Sequence, residues 1–161
     1  MHGSVMDWAT SKVEEYGLGE VDVLDLGSYD VNGCVRHLFN GNYTGCDMRA
    51  GPNVDVVCNA HDLVEEFGEG RFDAVICLEM LEHDSAFWVT MEQIGRVLKP
   101  GGRLLLTARG IHFGHHNPPD YWRFTEEAGR EMLLLAGLTE TDMDKDRPTS
   151  GIFVGAIKEV D

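Results

Sequence analysis

Five short apolar runs, separated by polar or helical stretches, constrain the fold of this chain more than any other feature. They are Val21 to Leu26, Tyr43 to Asp47, Asp55 to Cys58, Asp73 to Leu78 and Arg103 to Ala108. All but the second are rich in Val, Ile and Leu and almost continuously apolar, as strands buried on both faces of a sheet are. The pattern predicts a mostly parallel sheet with helices on both faces.

Helical periodicity fills several of the intervals between these runs. The clearest helix starts near Asp84 or Ser85 and stops at the sequence Lys99-Pro100-Gly101-Gly102. Its apolar residues recur every three or four positions, at Phe87, Met91, Ile94 and Leu98. A second helix is predicted from Thr125, its cap, to Ala136, with weaker helices over 7–16, 34–39 and 62–67. A terminal strand over 152–158 is predicted to pair with one near 138–143.

Length and composition exclude several classes of protein. The chain of 161 residues predicts a single domain over 1–161 with its own core. Its apolar runs fall short of the roughly 20 residues of a membrane helix, and its first residues do not resemble a secretory signal, so we expect a cytoplasmic protein without membrane contact. A net charge of -15 disfavours a nucleic-acid partner, because phosphate contacts need Lys and Arg. The cysteines, predicted as buried free thiols, are Cys34, Cys46, Cys58 and Cys77.

The residues directly after each predicted strand are the candidate site, because open parallel sheets bind ligands beyond the carboxyl ends of their strands. Gly27 allows a tight turn and close approach of the backbone to a ligand. Asp47, about 20 residues further on, suits the two hydroxyls of a ribose, although it could also be a surface acid. Asn59 and Asp62 could each recognise an adenine amino group, and Asp62 could equally cap the helix that follows.

Five successive segments resemble the motifs of class I S-adenosylmethionine-dependent methyltransferases of the small, type 11-like kind. They are VLDLGSYDVNG, GCDMRAG, NAHDL, FDAVICLEMLEH and IGRVLKPGGRLLLTA, in the order and spacing of that family. The resemblance extends from Val21 to Phe124, and PPDYWRFT near its end also resembles some small members. It implies a Rossmann-like, doubly wound α/β sheet of about seven strands with an antiparallel last strand, and S-adenosylmethionine as cofactor.

The resemblance also implies a role for individual residues. Asp25, Gly27 and Ser28 would line the methionine part of the cofactor, and Glu79 would lie below the sulfonium and the methionine amine. Asp47 would bind the ribose, with Met48 packed nearby. The adenine would be bordered by Asn59, Ala60 and His61. The chain departs from the family in its first loop, where Tyr29 follows Gly27-Ser28 in place of a glycine and has to point away from the cofactor. Asn59 stands where an acid is common.

Methyl transfer depends mainly on positioning, because the sulfonium already activates the methyl group for an O or N nucleophile. The segment 109–124 follows the fifth strand and is predicted to face the acceptor. In our hypothesis His116 or His83 is the general base, and Tyr121 and Arg123 position the acceptor. Alternatively, Tyr121 closes the core with Trp122 and Phe124, and Arg123 pairs with an acid. We predict no metal at the neighbouring histidines, which lack regularly spaced carboxylates.

Two other functions are alternatives to a methyltransferase. A nicotinamide-dependent oxidoreductase would require the GxGxxG loop, which is missing. A non-catalytic binding or regulatory module that keeps the fold is the stronger alternative, because the first loop is atypical. The acceptor stays open between a small molecule, a sugar and a protein. Because the chain has no large lid insertion, it either accepts exposed substrates or takes a lid from a partner, which could be a second copy in a homodimer or a different subunit.

Overall fold

A seven-stranded sheet forms the centre of the computed structural model, which describes residues 3–111, 119–147 and 150–160. Its strands are β1 (Val23–Leu26), β2 (Tyr43–Asp47), β3 (Val56–Val57), β4 (Phe72–Leu78), β5 (Leu98–Ala108), β6 (Thr139–Asp146) and β7 (Gly151–Ile157). They are ordered β3-β2-β1-β4-β5-β7-β6, and β7 runs antiparallel to both of its neighbours while all other pairs are parallel. The sheet confirms the predicted doubly wound architecture with an antiparallel last strand.

Helices cover both faces of this sheet, as predicted. They are α1 (Gly3–Glu15), α2 (Leu63–Phe67), α3 (Phe87–Val97) and α4 (Glu126–Ala136). One face is covered by α1, which buries Val5, Ala9 and Val13 at a spacing of one helical turn. Helices α2 to α4 pack on the opposite face, where the larger of the two apolar clusters lies. None of the helices in these described ranges is both long and apolar enough to span a membrane.

Local signals set the ends of α3 and α4 close to where the sequence predicts them. The Thr125 hydroxyl accepts a hydrogen bond from the Ala128 amide at 3.3 Å, and Gly137, at φ 65°, ends α4. Helix α3 ends at Val97, one residue earlier than its apolar stripe indicates, because Leu98 already pairs with Phe72 of β4. Strand β5 is therefore longer than predicted, and its regular pairing resumes only at residue 103.

The predicted helix over 34–39 is wrong. A single 3-10 turn, Arg36–Leu38, stands in its place. Six residues are too few for a helix that is not held by tertiary contacts. The Arg36 guanidinium instead reaches the connection between β2 and β3, where it donates to Asn53 Oδ1 at 2.6 Å and to Asp55 Oδ2 at 2.5 Å. An irregular segment thus connects β1 to β2.

The cysteines are free thiols, but they are not all buried. Cys46 on β2 and Cys77 on β4 are buried, whereas Cys34 and Cys58 lie in loops and are partly exposed. Burial raises the pKa of both buried thiols, because a thiolate would lose its hydration there. The prediction of buried free thiols therefore holds for two of the four cysteines.

Candidate active site

The carboxyl ends of the central parallel strands form a crevice at one edge of the sheet. Leu26, the last residue of β1, is in register with Cys46 of β2 and with Cys77 of β4. The order of strands reverses between β1 and β4, so the connections that follow these strands lead to opposite faces of the sheet. The residues that directly follow β1, β2 and β4 therefore surround one crevice.

The turn after β1 requires glycine at its first position. Gly27 has φ 79°, and a Cβ there would lie 2.6 Å from Met80 Cγ. The amides of Gly27 and Ser28 both donate to the Cys46 carbonyl, at 2.9 and 3.1 Å. The turn therefore folds back onto β2 and presents backbone, without a side chain, to the crevice.

Tyr29 occupies the loop position where a glycine would be typical. Its ring lies against Gly51, in space that a Cβ at residue 51 would fill. The Arg49 guanidinium lies over the same ring, 4.9 Å from its centroid. The Tyr29 ring therefore packs on the connection between β2 and β3, and Arg49 and Gly51 accommodate it there.

Asp25 is buried at the end of β1 and belongs to a polar network beneath the turn. It accepts a hydrogen bond from the Tyr43 hydroxyl. The Asn53 side-chain amide donates to that hydroxyl at 3.1 Å and to the Ser28 carbonyl at 2.9 Å. Burial raises the pKa of Asp25 to about 6, although the hydrogen bond from Tyr43 opposes this shift.

Asp47 ends β2 with its carboxylate held by two backbone amides. Oδ1 accepts from Arg49 N at 2.9 Å, and Oδ2 accepts from Tyr29 N at 3.4 Å. Each carboxylate oxygen can accept a further hydrogen bond, so the oriented carboxylate suits a ribose diol. Met48, which follows it, is 71% exposed at the surface.

The segment after β3 turns sharply and contacts the start of α3. Asn59 Oδ1 accepts from His61 N at 3.0 Å, which leaves the amide nitrogen of Asn59 as the atom that can donate to a ligand. His61 Nε2 lies 2.9 Å from Asp84 Oδ1. Within the described range 3–111, Asp62 forms no side-chain capping bond to α2, so that interpretation is not supported. A depression of about 300 Å³ adjoins this segment, lined by Val57, Cys58, Asn59, Asp62, Glu65 and Glu66.

A buried charged cluster, formed by Glu79, Glu82 and Arg109, lies beyond the ends of β4 and β5. Arg109 Nη2 is 2.5 Å from Glu79 Oε2, and Arg109 Nε is 3.4 Å from Glu82 Oε1. Burial raises the pKa of Glu82 to about 7, and it raises the pKa of Glu79 against the opposing effect of Arg109. Glu79 also has a left-handed backbone, with φ 56°, and its amide donates to the Thr107 carbonyl at 3.0 Å.

Sequence reasoning named Glu79 but gave no role to Glu82 or Arg109. Arg109 directly follows β5, so the rule that selects residues after strands could have found it. Glu82 carries a weaker signal, an acid that lies in sequence between the apolar β4 and α3 and is fully buried in the structure. Only the fold shows that the two acids share one arginine.

The residues before α4 pack over the loop that follows β4. The Tyr121 amide donates to the Glu82 carbonyl at 2.7 Å, and His83 Nδ1 lies 2.8 Å from the Pro119 carbonyl oxygen. The structure thus brings His83 close to the segment predicted to face the acceptor. His116 lies outside the described residues, so its role as base stays a prediction. Within the described ranges, no group of three His, Cys, Asp or Glu side chains could hold a metal ion.

The alternative roles stated for residues 121–124 are correct for three of the four. Arg123 forms a bidentate ion pair with Asp120, and its Nη2 lies 2.6 Å from Oδ2. Phe124 is buried, and Trp122 packs edge to face on Phe87 with centroids 5.5 Å apart. Tyr121 is 54% exposed, so it does not close the core.

A family model described as a methyltransferase domain matches residues 8–106. The chain belongs to this family. It is an S-adenosylmethionine-dependent methyltransferase, as its successive motifs predict. Ubiquinone biosynthesis O-methyltransferase of Pseudomonas aeruginosa is 27% identical to it over 175 aligned positions, which cover 82% of this chain and 74% of the relative.

Solved structures share the fold of this methyltransferase. The 1,6-didemethyltoxoflavin-N1-methyltransferase of Burkholderia thailandensis, with 1,6-didemethyltoxoflavin and S-adenosylhomocysteine bound, superimposes with a TM-score of 0.79 at 22% identity, over 97% of this chain and 79% of that one. A complex of a Haloferax volcanii methyltransferase activator with a methyltransferase gives a TM-score of 0.65 at 18% identity, over 97% of this chain and 96% of that one.

The residues at the crevice fit S-adenosylmethionine, the cofactor of this methyltransferase. The turn after β1 has glycine at φ 79°, so no side chain of residue 27 separates its backbone from a ligand. The Asp47 carboxylate is held in place to accept from a diol. The cluster of Glu79, Glu82 and Arg109 has two carboxylates and one guanidinium, and the net negative charge of its ionised form suits a cationic ligand.

Proposed function

We propose that this methyltransferase transfers the methyl group of S-adenosylmethionine to an O or N nucleophile of a small, ring-bearing molecule, mainly by holding donor and acceptor in line. The bound cofactor supplies an activated methyl group on its sulfonium. The chain then has to orient the two reactants, exclude water and, for a poor nucleophile, accept a proton.

In this proposal the residues after each strand bind different parts of the cofactor. Asp47 accepts hydrogen bonds from the ribose hydroxyls, and the backbone of Gly27 and Ser28 borders the methionine part. Glu79 faces the sulfonium and the methionine amine. Asp25 lies below the methionine part and supports the turn there through its hydrogen bond with Tyr43. The adenine is bordered by Asn59, Ala60 and His61, with Met48 packed against it.

A rim of exposed apolar side chains around the crevice is the observation that carries the choice of acceptor. Trp88 in the first turn of α3, Ile111 after β5 and Tyr121 before α4 are 43%, 71% and 54% exposed. Apolar side chains gathered at one edge mark a binding surface. They favour an acceptor with an apolar ring over a sugar. The two relatives named as an O-methyltransferase and an N1-methyltransferase support an O or N nucleophile.

On the acceptor side, Tyr121 is the residue we expect to contact the acceptor, since its ring is exposed at this rim. His83 is the proposed base for a hydroxyl acceptor, with His116 as the alternative. Arg123 would act less directly, because its guanidinium is already paired with Asp120.

A partner subunit that covers the crevice is a second part of the proposal. This methyltransferase matches nearly the whole length of the Haloferax volcanii chain, which occurs in a complex with an activator. The exposed rim would gain burial under such a cover. A second copy of this chain could also provide it, and sedimentation of the purified protein with and without cofactor would detect the dimer.

Calorimetric titration with S-adenosylmethionine and S-adenosylhomocysteine tests the cofactor site. We expect saturable binding that Asp47→Ala reduces at least tenfold, a loss typical of one charge-assisted contact. Asp144→Ala is the matched control, because Asp144 is exposed on β6 at the far edge of the sheet. Equal binding by the two variants would contradict the ribose assignment. Absence of binding by the natural sequence would favour the non-catalytic alternative.

Release of S-adenosylhomocysteine tests the acceptor class. The probes are catechol, 4-hexylcatechol and aniline, with glucose and casein as the sugar and protein alternatives. We expect turnover with the ring compounds, and faster turnover with the alkylated one because the rim is apolar. Turnover with casein or glucose alone would contradict the proposal.

A further inference from the structure

Two carboxylates share one guanidinium in the buried cluster beyond β4 and β5. The side chains of Glu79, Glu82 and Arg109 are 12%, 0% and 8% exposed, and both acids lie within ion-pair distance of Arg109. Little water reaches them, so their charges interact more strongly than surface charges do. When both acids are ionised, the cluster carries one negative charge that Arg109 does not balance.

Of the described side chains beside the cluster, the Asp120–Arg123 pair does not offset this charge. Asp120 and Arg123 form a bidentate pair with each other and add no net charge. The Cys77 thiol faces Glu82 from β4, and burial raises its pKa so that it stays neutral. From outside the cluster, the charges of the N-terminal amine and His83 favour the ionised form of Glu79, and the charge of Asp146 opposes it.

Burial of the Glu82 carboxylate destabilises the folded protein. Glu82 is fully buried, and within the described residues neither of its carboxylate oxygens has a hydrogen-bond partner. A buried carboxylate without hydrogen bonds destabilises a protein unless another charge compensates it. Glu79, beside it, has a left-handed backbone, a conformation that concentrates at functional sites. Both features point to a ligand that brings positive charge.

We propose that Glu82 supplies the second negative charge of an electrostatic site for the cation of S-adenosylmethionine. Arg109 holds the Glu79 side chain in place through their ion pair. The negative charge of Glu82 balances the positive charge of Arg109, so the negative charge of Glu79 is available to the cofactor. Glu82 is thus a positioning residue that acts through Arg109. This inference rests on the proposed placement of Glu79 near the sulfonium and the methionine amine.

The site would distinguish the substrate from the product. S-adenosylmethionine carries a sulfonium and an ammonium group, whereas S-adenosylhomocysteine carries only the ammonium group. An excess negative charge therefore attracts the substrate more than the product, and it weakens the hold on the cofactor once the methyl group has left.

Calorimetric titration of Glu82→Gln with both ligands, in buffer with a chelator at pH 8, tests the inference. We expect the Kd of S-adenosylmethionine to rise roughly tenfold and that of S-adenosylhomocysteine by less than about threefold, as the loss of one buried charge predicts. The variant should also melt a few degrees higher, because it no longer buries a charge. Glu92→Gln removes one exposed charge from α3 and should change neither ligand's affinity.

Equal weakening of both ligands by Glu82→Gln, or a lower melting temperature with no change in their ratio, would show a structural role and overturn the inference. If the variant does not fold, the same titrations of the unmodified protein at different pH values test the inference. Its preference for S-adenosylmethionine should decline from pH 8 to pH 6 as Glu82 takes up a proton, and a constant preference would overturn the inference. If Glu79→Gln leaves both affinities unchanged, the placement of Glu79 itself is wrong.

Discussion

The Tyr43 hydroxyl on β2 donates a hydrogen bond to the buried carboxylate of Asp25 on β1. This bond joins two strands at the level of the cofactor turn, and Asn53 extends it to the Ser28 carbonyl. Arg36 holds Asn53 in turn and stacks over the Tyr43 ring, 4.2 Å from its centroid. The network supports the turn from below, and Arg36 contributes to it from the segment 34–39 that the sequence predicted to be a helix.

The stability of the protein should depend on pH through Asp25. Burial raises its pKa in the folded state to about 6, from a usual value of 3.8, so the folded state favours the protonated acid. The resulting stability is complete below pH 3.8 and is lost as the pH rises through about 6. Asp25→Asn removes this dependence, so the variant should be the more stable protein at pH 8, by up to ~3 kcal/mol.

Urea denaturation of the Asp25→Asn variant and the natural sequence at pH 4 and pH 8 measures this effect. The two proteins should differ at pH 8 and approach each other at pH 4. Asp144→Asn, an exposed change on β6, should shift neither midpoint. The same difference at both pH values would show that Asp25 does not titrate in this range.

Asn53 should affect cofactor affinity more than turnover. Its φ of 68° is one that glycine adopts easily, so Asn53→Gly keeps the backbone and removes the side chain. The Ser28 carbonyl then loses the hydrogen bond from Asn53, and we expect the KM for S-adenosylmethionine to rise about fivefold, the effect of that one hydrogen bond on the turn. Asn42→Gly, at an exposed residue just before β2, is the control. A fall in kcat at unchanged KM would contradict the prediction.

Gly27→Ala should abolish tight cofactor binding. The added Cβ would lie 2.6 Å from Met80 Cγ, and φ 79° is strained for any residue with a side chain. We expect a loss of affinity of at least tenfold in calorimetry. The double variant Gly27→Ala with Met80→Ala should recover only in part, because the contact with Met80 Cγ is removed while the Cβ of residue 80, 2.9 Å away, and the backbone strain remain. Gly3→Ala on α1 has open space around it and should bind normally. Full recovery would show that backbone strain plays no part.

The base hypothesis predicts a loss of turnover without a loss of cofactor binding. Replacing the general base by Ala should reduce kcat for a phenolic acceptor by roughly 10²-fold to 10⁴-fold. His83→Ala and His116→Ala are compared with His37→Ala, an exposed histidine between β1 and β2. Unchanged turnover in both test variants would dispose of a histidine base.

The sequence by itself determined the element order and the edge of the sheet where the site lies. Apolar runs and helical stripes are local patterns, and all five predicted strands of the parallel part occur, four of them within two residues of their expected ends. Asp47 and Gly27 could be selected because residues that directly follow parallel strands must meet at one edge. The antiparallel last strand followed from resemblance to a known family.

Only the tertiary structure decided how charge is distributed at the site. Arg109 lies 27 residues from Glu82 along the chain, and nothing in local periodicity shows that the two meet in the interior or that Glu79 shares the same arginine. The segment around Arg36 likewise took its conformation from Asn53 and Asp55, which a local helix pattern cannot include. Burial and ion pairing depend on which distant segments pack together, so they appear only once the chain has folded.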